Sequence, residues 1–247
     1  MQYRLAGSGS PPVVFFSGLG NTMSDWRKIQ DALARTTTTL AYNRPGYGTS
    51  VMSQRPRTGA SIVEETHELL RGSGLPQPYV LVGHSVGGLY ANLYARTYPT
   101  DVCAVVLVDA SHPDQLERFA AQRPMLSRLL GTAGILLGLL MPSDTAAAAR
   151  GIGGGVVVSQ ESRALKTTCE QVRNAAPFPG VPLIVVTATR HQPALFPETE
   201  WQALQKDRVG ISPRGRQALA EKSGHFVHHD QPALVVEAIR EVVAEAR

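Results

Sequence analysis

The chain is poor in the features that mark disulfide-stabilised and membrane-spanning proteins. It holds two cysteines in 247 residues, Cys103 and Cys169, which lie far apart and form no CxxC pair. We therefore expect free thiols rather than a disulfide framework. The most apolar run, Leu129 to Met141, is shorter than the roughly 20 residues that cross a bilayer. The N-terminus lacks the apolar segment of a signal peptide, so the sequence predicts no membrane span and a cytoplasmic location.

An excess of charge of one sign is also missing. The 24 Lys and Arg residues oppose 20 Asp and Glu residues, which leaves a net charge of +4. The densest basic cluster, formed by Arg208, Arg214 and Arg216, is broken by Gly and Pro and has no aromatic neighbours suited to stacking on bases. We interpret this cluster as a solvated surface loop. The sequence therefore indicates no nucleic-acid partner.

The composition that is present is typical of a globular protein, with 43% hydrophobic and 18% charged residues. Short apolar runs alternate with longer amphipathic segments, which indicates a parallel sheet with crossover helices. The predicted strands are Val13–Ser17, Thr38–Tyr42, Tyr79–Gly83, Cys103–Asp109, Leu183–Thr187 and Gln217–Ala220. The predicted helices are Ser24–Ala34, Ile62–Arg71, Gly87–Tyr98 and a last helix that starts near Asp230 as its N-cap. The predicted fold class is α/β, with a mostly parallel central sheet flanked by helices.

One long segment interrupts this alternation. Residues 112–180 hold no clear strand apart from the ambiguous Val156–Ser159, and they are too many for an ordinary connection. We therefore predict a helical lid at 112–180, inserted into a core formed by 1–111 and 181–247. Its predicted helices are Asp114–Gln122, Met125–Leu140 and Gln160–Asn174. Its apolar faces would either line an acyl pocket or pack the lid onto the body, and they comprise Leu126, Leu129, Leu130, Ile135, Leu136, Leu139, Leu140 and Met141.

A nucleophile is indicated by the segment Gly83-His84-Ser85-Val86-Gly87. A buried strand runs directly into it and a helix follows, which is the context that the G-x-S-x-G motif requires. So sharp a turn strains the central serine and leaves no room for side chains at the flanking positions, so glycine is needed there. The turn would lift the Ser85 hydroxyl clear of the sheet. It would also aim the unpaired Val86 amide at a developing oxyanion.

A serine hydroxyl needs a neighbouring base near neutral pH. His225 follows Gly224 on a loop between the last predicted strand and the last helix, which is the expected place for that base. We interpret His228 and His229 as surface or helix-start residues.

The third member of such a triad is a carboxylate that orients the base. The strand after the nucleophile helix ends in Asp109, at the same edge of the sheet as Ser85. The strand Leu183–Thr187 ends without a carboxylate. Asp109 is therefore the predicted acid, with Asp114 as the nearest rival. The competing interpretation of Asp109 is a turn-capping aspartate.

Four motifs together resemble the α/β-hydrolase superfamily: VVFFSGLGN, YNRPGYGTS, GHSVGG and SGHFVHHDQP. The resemblance covers nearly the whole chain and implies oxyanion donors at the amides of Leu19 and Val86. Ser17 stands where the family usually has histidine, and Asn43 where it usually has aspartate. Neither residue supplies a donor amide. Most members place the acid one strand later than Asp109, and a minority place it at this position.

The predicted function is hydrolysis of carboxylic esters through an acyl-enzyme, without a metal or an organic cofactor. Ser85 would attack a small-molecule ester, His225 would accept its proton, and Asp109 would orient His225. A carboxylesterase for small to medium acyl chains is the leading interpretation, and a lipase, lactonase or thioesterase would use the same groups. The alternatives are a hydroxynitrile lyase, a perhydrolase-type haloperoxidase that needs no cofactor, and a ligand-binding receptor with slow turnover.

Overall fold

A seven-stranded sheet forms the centre of the computed structural model, which describes residues 1–125, 154–191 and 197–247. The strands are β1 (Tyr3–Ala6), β2 (Val13–Phe16), β3 (Thr39–Tyr42), β4 (Tyr79–His84), β5 (Val102–Val108), β6 (Leu183–Ala188) and β7 (Gly215–Ala220). Their order is β1-β3-β2-β4-β5-β6-β7, and only the β1–β3 pair is antiparallel among these strands. The predicted mostly parallel α/β fold is confirmed.

Helices cover both faces of this sheet. The α-helices are α1 (Arg27–Leu33), α2 (Gly59–Ser73), α3 (Val86–Thr97), α4 (Gln115–Gln122), α5 (Gly154–Asn174), α6 (Glu198–Val209), α7 (Val227–Asp230) and α8 (Pro232–Glu245). Short 3-10 helices span Met23–Trp26 and Pro99–Asp101. Alternate strand residues point to opposite faces, so Val14 and Phe16 join the core beneath α2, α3 and α5. Val13 and Phe15 join the core beneath α1 and α8.

Strand β1, helix α6 and the short helix α7 were absent from the sequence prediction. Strand β1 alternates between exposed and half-buried residues, so it carries no apolar run. Helix α6 has a weak amphipathic pattern, although Trp201 and Leu204 are buried. The remaining strands lie within one or two residues of their predicted ends.

Three smaller expectations were wrong. Val156–Ser159 lies within helix α5 and is not a strand. Asp230 ends α7, and Gln231 occupies the N-cap of α8. Arg208 lies on α6 with 1% exposure, so it does not belong to a solvated loop, whereas Arg214 and Arg216 form ion pairs with Glu245 at the surface.

The described part of segment 112–180 contains helices α4 and α5 and packs against the body of the protein. From α5, Leu165, Cys169 and Val172 belong to the same apolar core as β4 and β5. The N-terminal end of α2 is tied to α5, because the Gly59 N–H donates to Thr168 Oγ1 at 2.9 Å. Of the predicted helix Met125–Leu140, Met125 lies within the described residues, where it is helical and exposed, and the rest of that helix lies outside them. The apolar residues proposed for a pocket also lie outside the described residues.

Both cysteines are free thiols, half-buried Cys103 on β5 and buried Cys169 on α5. Among the helices of the described ranges, none combines the length and the apolar character that a membrane crossing demands.

Candidate active site

Ser85 occupies a strained turn between β4 and α3. Its φ of 55° and ψ of −127° lie where side chains are disfavoured. A Cβ atom on Gly83 would lie 2.6 Å from the Gly87 carbonyl oxygen, and one on Gly87 would lie 2.2 Å from the Phe16 carbonyl oxygen. The turn therefore demands glycine on both sides of Ser85.

Backbone hydrogen bonds tie this turn to the end of β5. The Ser85 N–H donates to the Val108 carbonyl at 3.3 Å, and the Ser111 N–H donates to the Ser85 carbonyl at 2.9 Å. Ser85 is 2% exposed, and its Oγ has no hydrogen-bond partner among the described residues. A buried hydroxyl thus lies beside the strand end that carries Asp109.

Asp109 is fully buried and accepts hydrogen bonds on both carboxylate oxygens. Oδ1 accepts the Ala188 N–H at 3.1 Å and the Trp201 Nε1–H at 2.9 Å. Oδ2 accepts from His225 Nδ1 at 2.7 Å and from His191 Nε2 at 2.6 Å. Burial opposes ionisation, but the hydrogen bonds from the two histidines outweigh it and hold the pKa of Asp109 below its usual value.

His225 is held by two hydrogen bonds, one to its ring and one to its backbone carbonyl. Its Nδ1 contacts Asp109, and its carbonyl oxygen accepts from His84 Nε2 at 3.0 Å. Burial, and then the neighbouring His225, hold the pKa of His84 well below its usual value, so His84 is a neutral donor. Within the described chain, His225 Nε2 is buried and unpaired and forms no hydrogen bond with Ser85 Oγ. In ligand-free sites such bonds are often long and shorten when substrate binds.

The turn that follows β2 lies directly beside Ser85. A Cβ atom on Gly18 would be 3.2 Å from Ser85 Cβ. The next residue, Leu19, is 3% exposed. Val86 is the first residue of α3, so its N–H has no acceptor within the helix. The two predicted oxyanion donors therefore belong to segments that adjoin the serine.

Arg44 fixes this turn through its backbone carbonyls. Its guanidinium donates to the carbonyl oxygens of Ser17 at 2.6 Å and Gly18 at 2.9 Å. The same group binds both carboxylate oxygens of Glu161 on α5 at 2.9 Å. Tyr47 extends the contact, because its hydroxyl donates to Glu161 and accepts the Gly20 N–H. This buried network was not predicted, because Arg44 and Glu161 are distant in the sequence.

His191 and Glu198 were also missed. His191 follows the end of β6, and its Nδ1 contacts Glu198 Oε2 at 2.9 Å. Burial lowers the pKa of His191, but Asp109 and Glu198 outweigh that effect and raise it to about 9. The strand that ends without a carboxylate therefore delivers a histidine to Asp109 instead.

The rival residues have other partners. Asp114 is the N-cap residue of α4, and its carboxylate lies 3.3 Å from Arg173. His228 is buried and stacks on Trp26 with ring centroids 4.7 Å apart, so it is not a surface residue, although it does lie at the start of α7. His229 is exposed at 47%.

The two departures from the family pattern have structural partners. Ser17 Oγ donates to the Thr22 carbonyl and accepts the Trp26 Nε1–H. Asn43 Oδ1 accepts the Met23 N–H at 2.8 Å.

Among the described residues, two groups of side chains bring potential metal ligands within 4.8 Å of one another: Asp109 with His191 and His225, and Asp25 with His228 and His229. In the first group the nitrogen–oxygen separations are 2.6 and 2.7 Å. Two ligands of one zinc ion lie about 3.3 Å apart at usual bond lengths. We therefore interpret the first group as a hydrogen-bonded cluster. In the second group, His229 Nε2 is 3.8 Å from Asp25 Oδ1.

Comparisons with known proteins agree with this architecture. A family model described as the Alpha/beta hydrolase family matches residues 13–238. The chain is 24% identical over 245 residues to the uncharacterized protein YqjL of Bacillus subtilis (strain 168), which covers 96% of this chain and 85% of YqjL.

Solved structures with a similar fold include E-2-(acetamidomethylene)succinate hydrolase, which has a TM-score of 0.73 and 19% sequence identity. The alignment covers 98% of this chain and 94% of the hydrolase chain. A malate-bound thermophilic esterase from Thermogutta terrifontis gives a TM-score of 0.69 at 20% identity, over 99% of this chain and 93% of the esterase. At these identities the likeness shows the fold alone.

Proposed function

The chain belongs to the alpha/beta hydrolase family, and from that premise we propose that it is a serine hydrolase that cleaves carboxylic esters. Ser85 is the nucleophile, His225 is the general base, and Asp109 orients His225. The amides of Leu19 and Val86 stabilise the oxyanion. The substrate is a small-molecule ester with a small to medium acyl chain.

One observation carries this proposal. Buried Asp109 holds Nδ1 of His225 at 2.7 Å, while the opposite ring nitrogen and the strained Ser85 hydroxyl are both buried and unpaired in the described chain. Leaving such groups unpaired costs about 1–3 kcal/mol each. A site that tolerates this cost is expected where the groups act on a substrate.

The chemistry proceeds in two half-reactions. His225 Nε2 accepts the Ser85 proton as Oγ bonds to the ester carbonyl carbon, and the carbonyl electron pair moves to its oxygen. Collapse of this intermediate breaks the bond to the alcohol, which leaves with the proton from His225. Water then attacks the acyl-enzyme and gives a proton to His225. The second collapse breaks the Ser85–acyl bond and returns the proton to Oγ.

The oxyanion donors gain from being fixed before the reaction begins. Val86 is placed by the helix start, and Leu19 belongs to the turn that Arg44 holds through the carbonyls of Ser17 and Gly18. A preorganised donor of this kind contributes about 3–4 kcal/mol to transition-state stabilisation. We further propose that residues 112–180 form a lid over the site, anchored by Glu161 of α5.

The first experiment compares Ser85→Ala with Ser73→Ala, a control at the end of α2. Hydrolysis of p-nitrophenyl esters of increasing acyl length should fall by on the order of 10⁴–10⁶-fold in Ser85→Ala. It should be unchanged in Ser73→Ala. Covalent labelling by a fluorophosphonate should likewise require Ser85. Near-normal turnover by Ser85→Ala would refute the nucleophile.

Activity assays of the wild-type protein distinguish the alternative functions. Brisk ester turnover supports the hydrolase. Cyanohydrin cleavage without ester turnover would indicate a hydroxynitrile lyase, and peracid formation from a carboxylic acid and hydrogen peroxide would indicate a perhydrolase. Fluorophosphonate labelling with very slow turnover of every ester would indicate a receptor.

A further inference from the structure

Two imidazoles share one oxygen of Asp109. His225 Nδ1 lies 2.7 Å from Oδ2, and His191 Nε2 lies 2.6 Å from the same atom. The second ring nitrogen of His191 lies 2.9 Å from Glu198 Oε2. A second histidine that contacts the same carboxylate oxygen as the base is an addition to the three residues of the proposed triad.

Proton counting defines the state of His191. An ionised carboxylate only accepts hydrogen bonds, and a neutral imidazole carries a single N–H. Asp109 also accepts two N–H groups on Oδ1, from Ala188 and Trp201, so it is ionised. His191 can donate to both Asp109 and Glu198 only as an imidazolium. Its pKa, raised to about 9 mainly by these two carboxylates against the effect of burial, agrees.

The ionisable groups that face His191 come from three segments of the described chain. Asp109 lies after β5, Glu198 lies on α6 and His225 lies before α7. The ring centroids of His191 and Trp201 are 5.4 Å apart. The rings of His191 and His225 have centroids 6.2 Å apart. The base therefore faces a carboxylate whose negative charge is already partly balanced.

We propose that His191 is a positioning residue, a fixed cation that orients Asp109 and sets the pH range in which His225 acts as a base. This inference rests on the function proposed above. Glu198 keeps His191 charged and holds its ring against Asp109. A positive charge about 6 Å from His225 opposes protonation of the base, which extends activity to lower pH by about one to two units.

The test replaces His191 by Gln, which is neutral and can donate one hydrogen bond. The matched control is Arg190→Gln, which removes the same charge from the adjacent, exposed residue. With phenyl acetate as substrate, the acidic limb of the kcat/KM profile should move about one to two units to higher pH in His191→Gln. It should stay in place in Arg190→Gln.

A second variant separates charge from shape. His191→Lys restores a cation that can donate to both carboxylates, so its acidic limb should return toward the wild-type position. If His191→Lys and His191→Gln show the same shift, the charge is not responsible and the proposal is wrong. If kcat falls in His191→Gln while the acidic limb of the kcat/KM profile stays in place, the proposal is also wrong, because a purely structural residue would give that result.

NMR signals of the histidine rings provide a measurement that does not depend on turnover. In ¹⁵N-histidine-labelled protein without substrate, His191 should show two protonated ring nitrogens at pH 7.5. The titration midpoint of the His225 ring should rise in His191→Gln. A neutral His191, or an unchanged midpoint in a folded variant, would contradict the proposal. Because no substrate is present, this result stands even if ester hydrolysis fails.

Discussion

Ser85 and Asp109 are the two non-glycine residues with positive φ in the described ranges, at 55° and 40°. Such conformations cost on the order of 1–3 kcal/mol and persist where surrounding contacts enforce them. For Asp109 the enforcing contacts are four hydrogen-bond donors, and its own N–H donates to the Val186 carbonyl at 2.7 Å. Strain thus concentrates at the two residues assigned as nucleophile and acid.

At the residue scale we predict that Asp109→Asn lowers kcat by on the order of 10³–10⁴-fold, because the amide can hold His225 in the wrong tautomer. Asp114→Asn should change kcat little, since Asp114 contacts Arg173 rather than a histidine of the site. Steady-state kinetics on one ester, with both variants confirmed as folded, measures the difference. Loss of activity confined to Asp114→Asn would show that the acid was assigned wrongly.

At the element scale, helix α5 is coupled to the turn after β2 by charge. Glu161 is 2% exposed and binds Arg44, whose remaining donors hold the carbonyls of Ser17 and Gly18. Arg57 Nη2 is also 3.9 Å from Glu161 Oε1. A change in α5 is therefore expected to reach the proposed oxyanion donors through the Arg44 guanidinium and through the Tyr47 hydroxyl, which joins Glu161 to the Gly20 N–H.

We predict that Glu161→Gln destabilises the protein by about 3–5 kcal/mol, because the buried charge of Arg44 loses its partner. Glu170→Gln, on a partly exposed position of the same helix, should cost little. Equilibrium urea unfolding measures both. In the folded Glu161→Gln protein, kcat should fall more than KM changes, as expected for a loosened oxyanion site. Equal stability of the two variants would contradict the coupling.

At the scale of the whole molecule, the Asp109–His191 pair links stability to pH. The folded pKa of His191, about 9, exceeds its usual value of 6.5, so its stabilising contribution is fully present below about pH 6.5 and is lost as the pH rises through about 9. The pKa of Asp109 is depressed, so its contribution is present above its ordinary value and is lost only in strong acid.

We therefore predict that the difference in unfolding free energy between wild type and His191→Gln is larger at pH 6 than at pH 10. Urea unfolding at the two pH values checks this. The Arg190→Gln control should give a small difference that does not change with pH. A His191→Gln difference of the same size at both pH values would show that His191 is uncharged in the folded protein.

Much of the molecule was readable from local patterns. Strands β2 to β6 appeared as short apolar runs because both of their faces are buried. Strand β1 could not be seen this way, because an edge strand with exposed residues needs only its hydrogen bonds to β3. Helix α6 was missed for a similar reason, since its burial depends on Asp109 and the strand ends that it covers.

By itself, the sequence determined strands β2 to β7, the serine turn and the candidates Ser85, His225 and Asp109, because each depends on neighbours along the chain or on the rule that parallel strands end at one edge. Only the tertiary structure decided that Asp109 is shared with His191 and that Arg44 joins the turn after β2 to Glu161. These contacts join residues 82 and 117 positions apart. Their energies come from buried charges that folding brings together, and no local pattern in the sequence predicts contacts between residues so far apart.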